Sequence, residues 1–425
     1  MKRLTLTTIV IVLAALLAPC GVAGGVPDQA PAPEKEVPLV AVRCGKLLTM
    51  DADKRVINNG VILVRGRLIE AIGPASDVKI PKGCPVIDGS DYWVTPGLVD
   101  FHSHVGGDLG DLNDGVYLTN PDLRTTETLT PNNEYVKDAR AAGVTSLLLI
   151  PGSGNNMAGF GTIVKTAGRT AEEITLKNPG CIKIAQAGNP ERWWYRVGRF
   201  FMYWNLRTTL EELREYHDTW CAYEEGKIKE KPAVDRIKEP FRDLFRQKYV
   251  AVMHTQGYQL MMTTVTQLWD ALGIRTVMDH CTFDGYKTAP LMAERNVPIV
   301  AGPRNIWFDR HDRRVNGVPA KYAEAGVKIL ATNTDSPVLP IEEHFYQATI
   351  GVRMGWDNAY DALAGLTIIG AEAGLTHDRV GSIEIGKDAD FAFFTGDPID
   401  PRSACMLTMV NGKVVYDAKK DGQRY

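Results

Sequence analysis

No Cys-x-x-Cys pair occurs among the seven cysteines of this 425-residue chain, which excludes a thiolate zinc knuckle and a dithiol redox motif. Charge of one sign is missing too. Lys and Arg (48) nearly balance Asp and Glu (51), leaving a net charge of −3. No basic run is long enough for a nucleic-acid footprint, so nucleic acid is not an expected partner. The apolar run from Leu4 to Ala18 is too short to span a bilayer. Histidine is scarce, with eight in all, so the places where histidines fall carry information.

What is present fits an ordinary globular protein, 44% apolar and 23% charged. The length suits one large barrel with a satellite. Residues 1–23 have the form of a secretory signal peptide: Lys2 and Arg3, an apolar run, then Gly21-Val22-Ala23 as a cleavage site. Leu17-Ala18-Pro19-Cys20 offers a rival ending, a lipoprotein box that departs from the pattern at Pro19. The expected location is therefore exported, periplasmic or extracellular, with membrane contact only if Cys20 carries lipid. Residues 24–37 are a Pro-rich linker. Export would permit a disulfide, and Cys44 and Cys84 are the candidates within the first small segment.

Short strands broken by turn signals fill residues 38–93. The same texture returns at 379–425, where Met409 to Tyr416 forms a hairpin around Asn411-Gly412. Neither end can close a core alone, so one composite β-sandwich built from both termini is expected. Between them, residues 94–378 alternate strands with helical stretches. Strands are expected at 98–103, 144–150, 161–167, 181–187, 249–254, 275–280, 297–301 and 327–332. Eight strand-then-helix units predict an α/β fold, a (β/α)₈ TIM barrel whose chemistry sits at the C-terminal strand ends.

Those ends hold the chemistry-bearing residues. Strand side chains alternate, so His102 and His104 share a face and can share one metal ion. Lys183 lies on the fourth strand among Cys181, Ile182 and Ile184, where a buried cation is costly. His254, His280 and Asp335 end the fifth, sixth and eighth strands. His217, His311, His344 and His377 fall elsewhere and read as structural or solvated.

Three stretches carry a resemblance to the amidohydrolase superfamily, and within it to the imidazolonepropionase-related metal-dependent hydrolases. Val94 through His104 resembles the first barrel strand of that family, Asp335-Ser336-Pro337 its eighth-strand aspartate, and Asp378 through Asp390 its return into the small domain. The resemblance implies hydrolysis of an amide-type C–N bond in a small-molecule substrate. It places His102, His104, His254, His280 and Asp335 on ligand and catalytic positions for a divalent metal, most simply Zn²⁺. Asp335 would act as general acid/base, and His280 would join in proton transfer if a single metal is bound. Gly180 through Ile184 is similar to the fourth strand of binuclear relatives, whose lysine is carboxylated. Lys183 would then bridge two metals; without that, one metal suffices. Relatives often carry Gly-Glu-Asn-Pro where this chain has Ala187-Gly188-Asn189-Pro190, so a glutamate is missing at Gly188. Arg304, Tyr258 and Gln256 are candidate substrate contacts. The aromatic run from Trp193 to Trp204 reads as packing, a lid or a homo-oligomer contact. Two other functions stay open, a mononuclear deaminase of a cyclic amidine and a non-catalytic binding protein on the same fold.

Overall fold

The computed structural model describes residues 37–424 except Ala187, Trp193 and Trp194. The expected signal peptide and most of the linker lie outside the described residues. Four strands come first: β1 (Leu39–Leu48), β2 (Val56–Arg65), β3 (Leu68–Pro74) and β4 (Val86–Pro96). Then come β5 (Leu98–Ser103), β6 (Val144–Leu149), β7 (Met157–Lys165) and β8 (Thr175–Ala185). They are followed by β9 (Val250–Thr255), β10 (Thr276–His280) and β11 (Ile299–Ala301). A hairpin of β12 (Ile306–Asp309) and β13 (Arg314–Gly317) precedes β14 (Leu330–Thr332). Strands β15 (Phe391–Phe394), β16 (Cys405–Val410) and β17 (Lys413–Asp417) come last.

Two sheets hold nearly all of these strands. One has eight strands in the order β14-β11-β10-β9-β8-β7-β6-β5. Its edges meet through a parallel bridge between Ser103 and Ser336 and a His104 N–H to Ser336 O bond of 2.9 Å, which nearly closes a barrel. Most of these strands are buried along their whole length, as a sheet covered on both faces requires. Phe101, Leu148, Ile163, Val252, Val277 and Val300 form one apolar cluster, and alternation along the strands gives it the barrel interior. Ile182, Met253, Met278 and Ile299 belong to the cluster that the helices cover from outside.

All eight expected barrel strands are present, but they are not eight strand-then-helix units. β7 runs antiparallel to both β6 and β8. A seven-residue connection joins β6 to β7, and a nine-residue one that ends in a four-residue helical turn joins β7 to β8. The remaining neighbours are parallel. The barrel therefore turns back on itself once, and the start of β7 faces the mouth.

The second sheet has the order β17-β16-β15-β4-β1-β2-β3. Strands from both chain ends share it, β15 pairing directly with β4. They form one hydrogen-bonded sheet of seven strands rather than the two facing sheets of the expected sandwich. Cys44 and Cys84 are free thiols, as are the other four described cysteines, so the suggested bridge is absent. A buried polar joint fastens this sheet to the barrel. Lys165, at the end of β7, donates to Asp388 Oδ2 (2.7 Å) and Asn411 Oδ1 (2.5 Å) and pairs with Asp390 Oδ2 (2.9 Å). Arg67 and Arg379 also grip Asp388.

Candidate metal centre

A register slip builds the first part of the site. Between Asp100 and Ser103 on β5, three steps match two on β6. The extra residue reverses the strand's inside–outside parity, as a bulge does, and His102 and His104 face inward. His102 Nε2 and His104 Nε2 lie 3.3 Å apart. Asp335 Oδ1 completes a triangle, 3.2 Å from the first and 3.1 Å from the second. Four ligands at about 2.0–2.1 Å around zinc have edges of about 3.3–3.4 Å, so these atoms have the spacing of one face of such a tetrahedron.

The other ring nitrogens set the tautomers. His104 Nδ1 lies 2.7 Å from the carbonyl of Ile150, and His280 Nδ1 lies 2.9 Å from that of Gly302. A carbonyl only accepts, so each Nδ1 carries the proton and each Nε2 keeps its lone pair. Gly302 can come this close because it has no Cβ; one would sit 2.6 Å from Asn333 O at a φ of +137°. His254 Nδ1 lies 2.8 Å from Ser153 Oγ, on the loop between β6 and β7. The His254 and His280 rings are 4.4 Å apart. His280 Nε2 is buried without a hydrogen-bond partner, an orphan that a cation would satisfy.

Electrostatics favour the same use. Burial pushes His104, His254 and His280 below the usual histidine range, keeping them neutral and able to coordinate. Burial also pushes down the Lys183 ammonium. Burial would raise Asp335, but the surrounding His280, His102 and His104 imidazoles outweigh it and hold the carboxyl well below its usual range.

The structure thus brings together His102, His104, Lys183, His254, His280 and Asp335. Lys183 is fully buried, its Nζ 3.5 Å from His102 Nε2. Gln256 and Tyr258 line a cavity of 470 Å³ beside His254. Arg304 does not join them: it is exposed after β11 and lines neither this cavity nor the 380 Å³ one beside His104. Among the described aromatics, Phe200 is 86% and Trp204 52% exposed, so the packing reading fails for these two. Trp193 and Trp194 lie outside the described residues. At the position of the missing glutamate, Gly188 has φ +85° and its N–H donates to Glu191 Oε2 (2.9 Å). Glu191 also pairs with Arg199 and lines the cavity beside His254.

Asp279 escaped the sequence reading. It is fully buried against His102 Nδ1, 3.7 Å from Lys183 Nζ. Strict alternation from the interior Val277 could have found it, because positions 277 and 279 share a face. His280 faces the site only because its backbone is left-handed, with φ +69°. Asp335 is left-handed as well, φ +50°, and such strain gathers at functional sites.

Buried imidazoles that turn a lone pair toward a shared point are ligands waiting for a cation, and carboxylates beside them can move protons. Fold and site together define a metal-dependent hydrolase. The profile of the Amidohydrolase family matches residues 269–421. An imidazolonepropionase of Pseudomonas fluorescens is 25% identical over 395 residues, covering 82% of this chain and 93% of that protein. Amidohydrolase tasK of Hapsidospora irregularis is 23% identical over 403 residues, which span 84% of this chain but only 40% of the relative. Among solved structures, an amidohydrolase from Thermotoga maritima superposes with a TM-score of 0.78 at 26% identity, covering 89% of this chain and all of that one. The chain belongs to the amidohydrolase superfamily and is a hydrolase acting on C–N bonds other than ordinary peptide bonds.

Proposed function

We propose that this protein is an exported, zinc-dependent amidohydrolase in which Asp335 is the general acid/base. The observation that carries the assignment is the triangle of His102 Nε2, His104 Nε2 and Asp335 Oδ1, with edges of 3.1–3.3 Å. Bound there, a divalent cation would polarise the scissile carbonyl and lower the pKa of water to about 7. Asp335 has a second oxygen, Oδ2, to take the proton of the attacking water and pass it to the leaving nitrogen. His254 and His280 line the opposite side and would hold a second cation. Burial disfavours the Lys183 ammonium; as the free amine it would add carbon dioxide and lose a proton, and the carbamate would offer oxygens to the cations. Gln256 and Tyr258, in the cavity beside His254, would meet the substrate.

One observation favours a single-cation variant, with His280 transferring protons. Lys183 Nζ lies 3.7 Å from Asp279 Oδ2, an ion pair that an ammonium can keep and a carbamate cannot. Metal analysis of the purified protein, with a panel of dipeptides, N-acyl amino acids and cyclic imides, tests the assignment. Asp335→Asn should lower turnover on any substrate found by at least about 10²-fold, the usual range for general acid–base groups. A variant within a few-fold of wild type would remove Asp335 from that role.

A further inference from the structure

Three of the four site histidines rest their Nδ1 on neutral oxygens: Ile150 O, Gly302 O and Ser153 Oγ. His102 differs, because its Nδ1 faces the carboxylate Asp279 Oδ2. Both groups are fully buried. Asp279 is fixed in turn: its Oδ1 accepts a 2.9 Å bond from Asn333 Nδ2, two residues before Asp335. One carboxylate thus ties β5, which carries His102, to the segment after β14, which carries Asp335.

We infer that Asp279 is a positioning residue, the carboxylate that orients His102 and strengthens it as the principal anchor of the cation. This rests on the metal role proposed above. A carboxylate is a stronger acceptor than a carbonyl, so it draws the Nδ1 proton and leaves Nε2 a better electron donor. Its position also argues against Asp279 as a ligand of the His102–His104–Asp335 site. It stands on the Nδ1 side of the His102 ring, whereas the triangle forms on the Nε2 side. Alternation along β10 supplies the residue: Val277 contributes to the apolar interior, and Asp279, two positions on, reaches the level of the site. In register, Asp279 pairs with His254.

The test is chelator competition for Zn²⁺ with wild type, Asp279→Asn, His102→Ala and the double variant, together with zinc stoichiometry. Asparagine keeps the shape and loses the charge. Asp279→Asn should bind as many zinc ions as wild type but about 10–100-fold more weakly, the usual cost of losing an outer partner. In the His102→Ala background the same substitution should cost little more, because the group it supports is gone. Asp279→Glu should recover part of the affinity. Loss of a whole zinc equivalent in Asp279→Asn would make Asp279 a ligand and overturn the inference. Unchanged affinity, or an undiminished effect in the His102→Ala background, would overturn it too. Wild type that takes up no zinc defeats the underlying metal role instead. A check that needs no variant is NMR of zinc-loaded, histidine-labelled wild type. The His102 imidazole N–H should resonate downfield of those of His104 and His280; if it does not, the inference falls.

Discussion

Replacing Lys165 by methionine should loosen the joint between the barrel and the seven-stranded sheet. Lys165 is 3% exposed and the side chains of Asp388 and Asp390 are 1% and 3% exposed, so the cluster is shut off from water. The two aspartates do not suffer equally. Asp388 keeps Arg67 and Arg379. Asp390 keeps one donor, the backbone N–H of Asn411 at 2.7 Å. The variant therefore strands one buried carboxylate, and breaking a buried pair from one side costs about 3–5 kcal/mol. Burial already raises the Asp390 carboxyl above its usual range, with Lys165 acting against that. Removing Lys165 raises that carboxyl further, and a carboxyl whose folded-state pKa is raised stabilises the fold more when protonated, so the deficit relative to wild type should shrink as pH falls through the variant's higher value. Urea denaturation read by circular dichroism gives the magnitude. The double variant Lys165→Met, Asp390→Asn should recover most of the loss, since no charge is then stranded. A single variant that loses less than about 1 kcal/mol, or a double variant no more stable than the single, would refute the account of this joint.

Three further outcomes are expected. Wild type should carry close to two metal ions per chain by elemental analysis and Lys183→Ala should lose metal and activity, partly restored by short carboxylic acids; one ion in both would favour the single-cation variant. Burial lowers Lys177 to about 8 from the ordinary 10.5, so stability should rise between those pH values as the folded state escapes the cost of burying a cation, and Lys177→Met should abolish that rise in pH-dependent denaturation. Gly188→Ala should cost about 1–2 kcal/mol in a denaturation midpoint, because φ +85° strains any L residue while its Cβ, 3.8 Å from His254 Nε2, meets no clash.

Periodicity and turn residues located all eight barrel strands, because runs such as Ala251-Val252-Met253 admit little else. They could not give direction. An apolar run reads the same whichever way it lies, so the antiparallel course of β7 was hidden. The residues gathered at the site were visible as scarce polar side chains at strand ends. Their aim was not: the β5 register slip and the left-handed His280 are backbone events, and together they bring in His102, His104 and His280. Residue type singles out His280, whereas strand parity from Val277 favours the aspartate beside it, Asp279. Arg304 is a candidate by its chemistry alone, and no local pattern encodes that its segment faces solvent.

The barrel has a seam, and the candidate ligands straddle it. β5 and β14 are the two edges of the eight-stranded sheet, more than two hundred residues apart in sequence. By contrast, β6, β7 and β8 are neighbours both along the chain and in space. Closing a long loop costs more chain entropy than closing a short one, so the edge that joins Ser103 to Ser336 is the costliest pairing of the barrel to hold shut. His102 and His104 lie on one side of it and Asp335 on the other. A cation held by all three would be a staple across that edge, binding only the closed barrel. Amides along β5 and β14 should then exchange with solvent first in the metal-free protein, and slow most when metal is added.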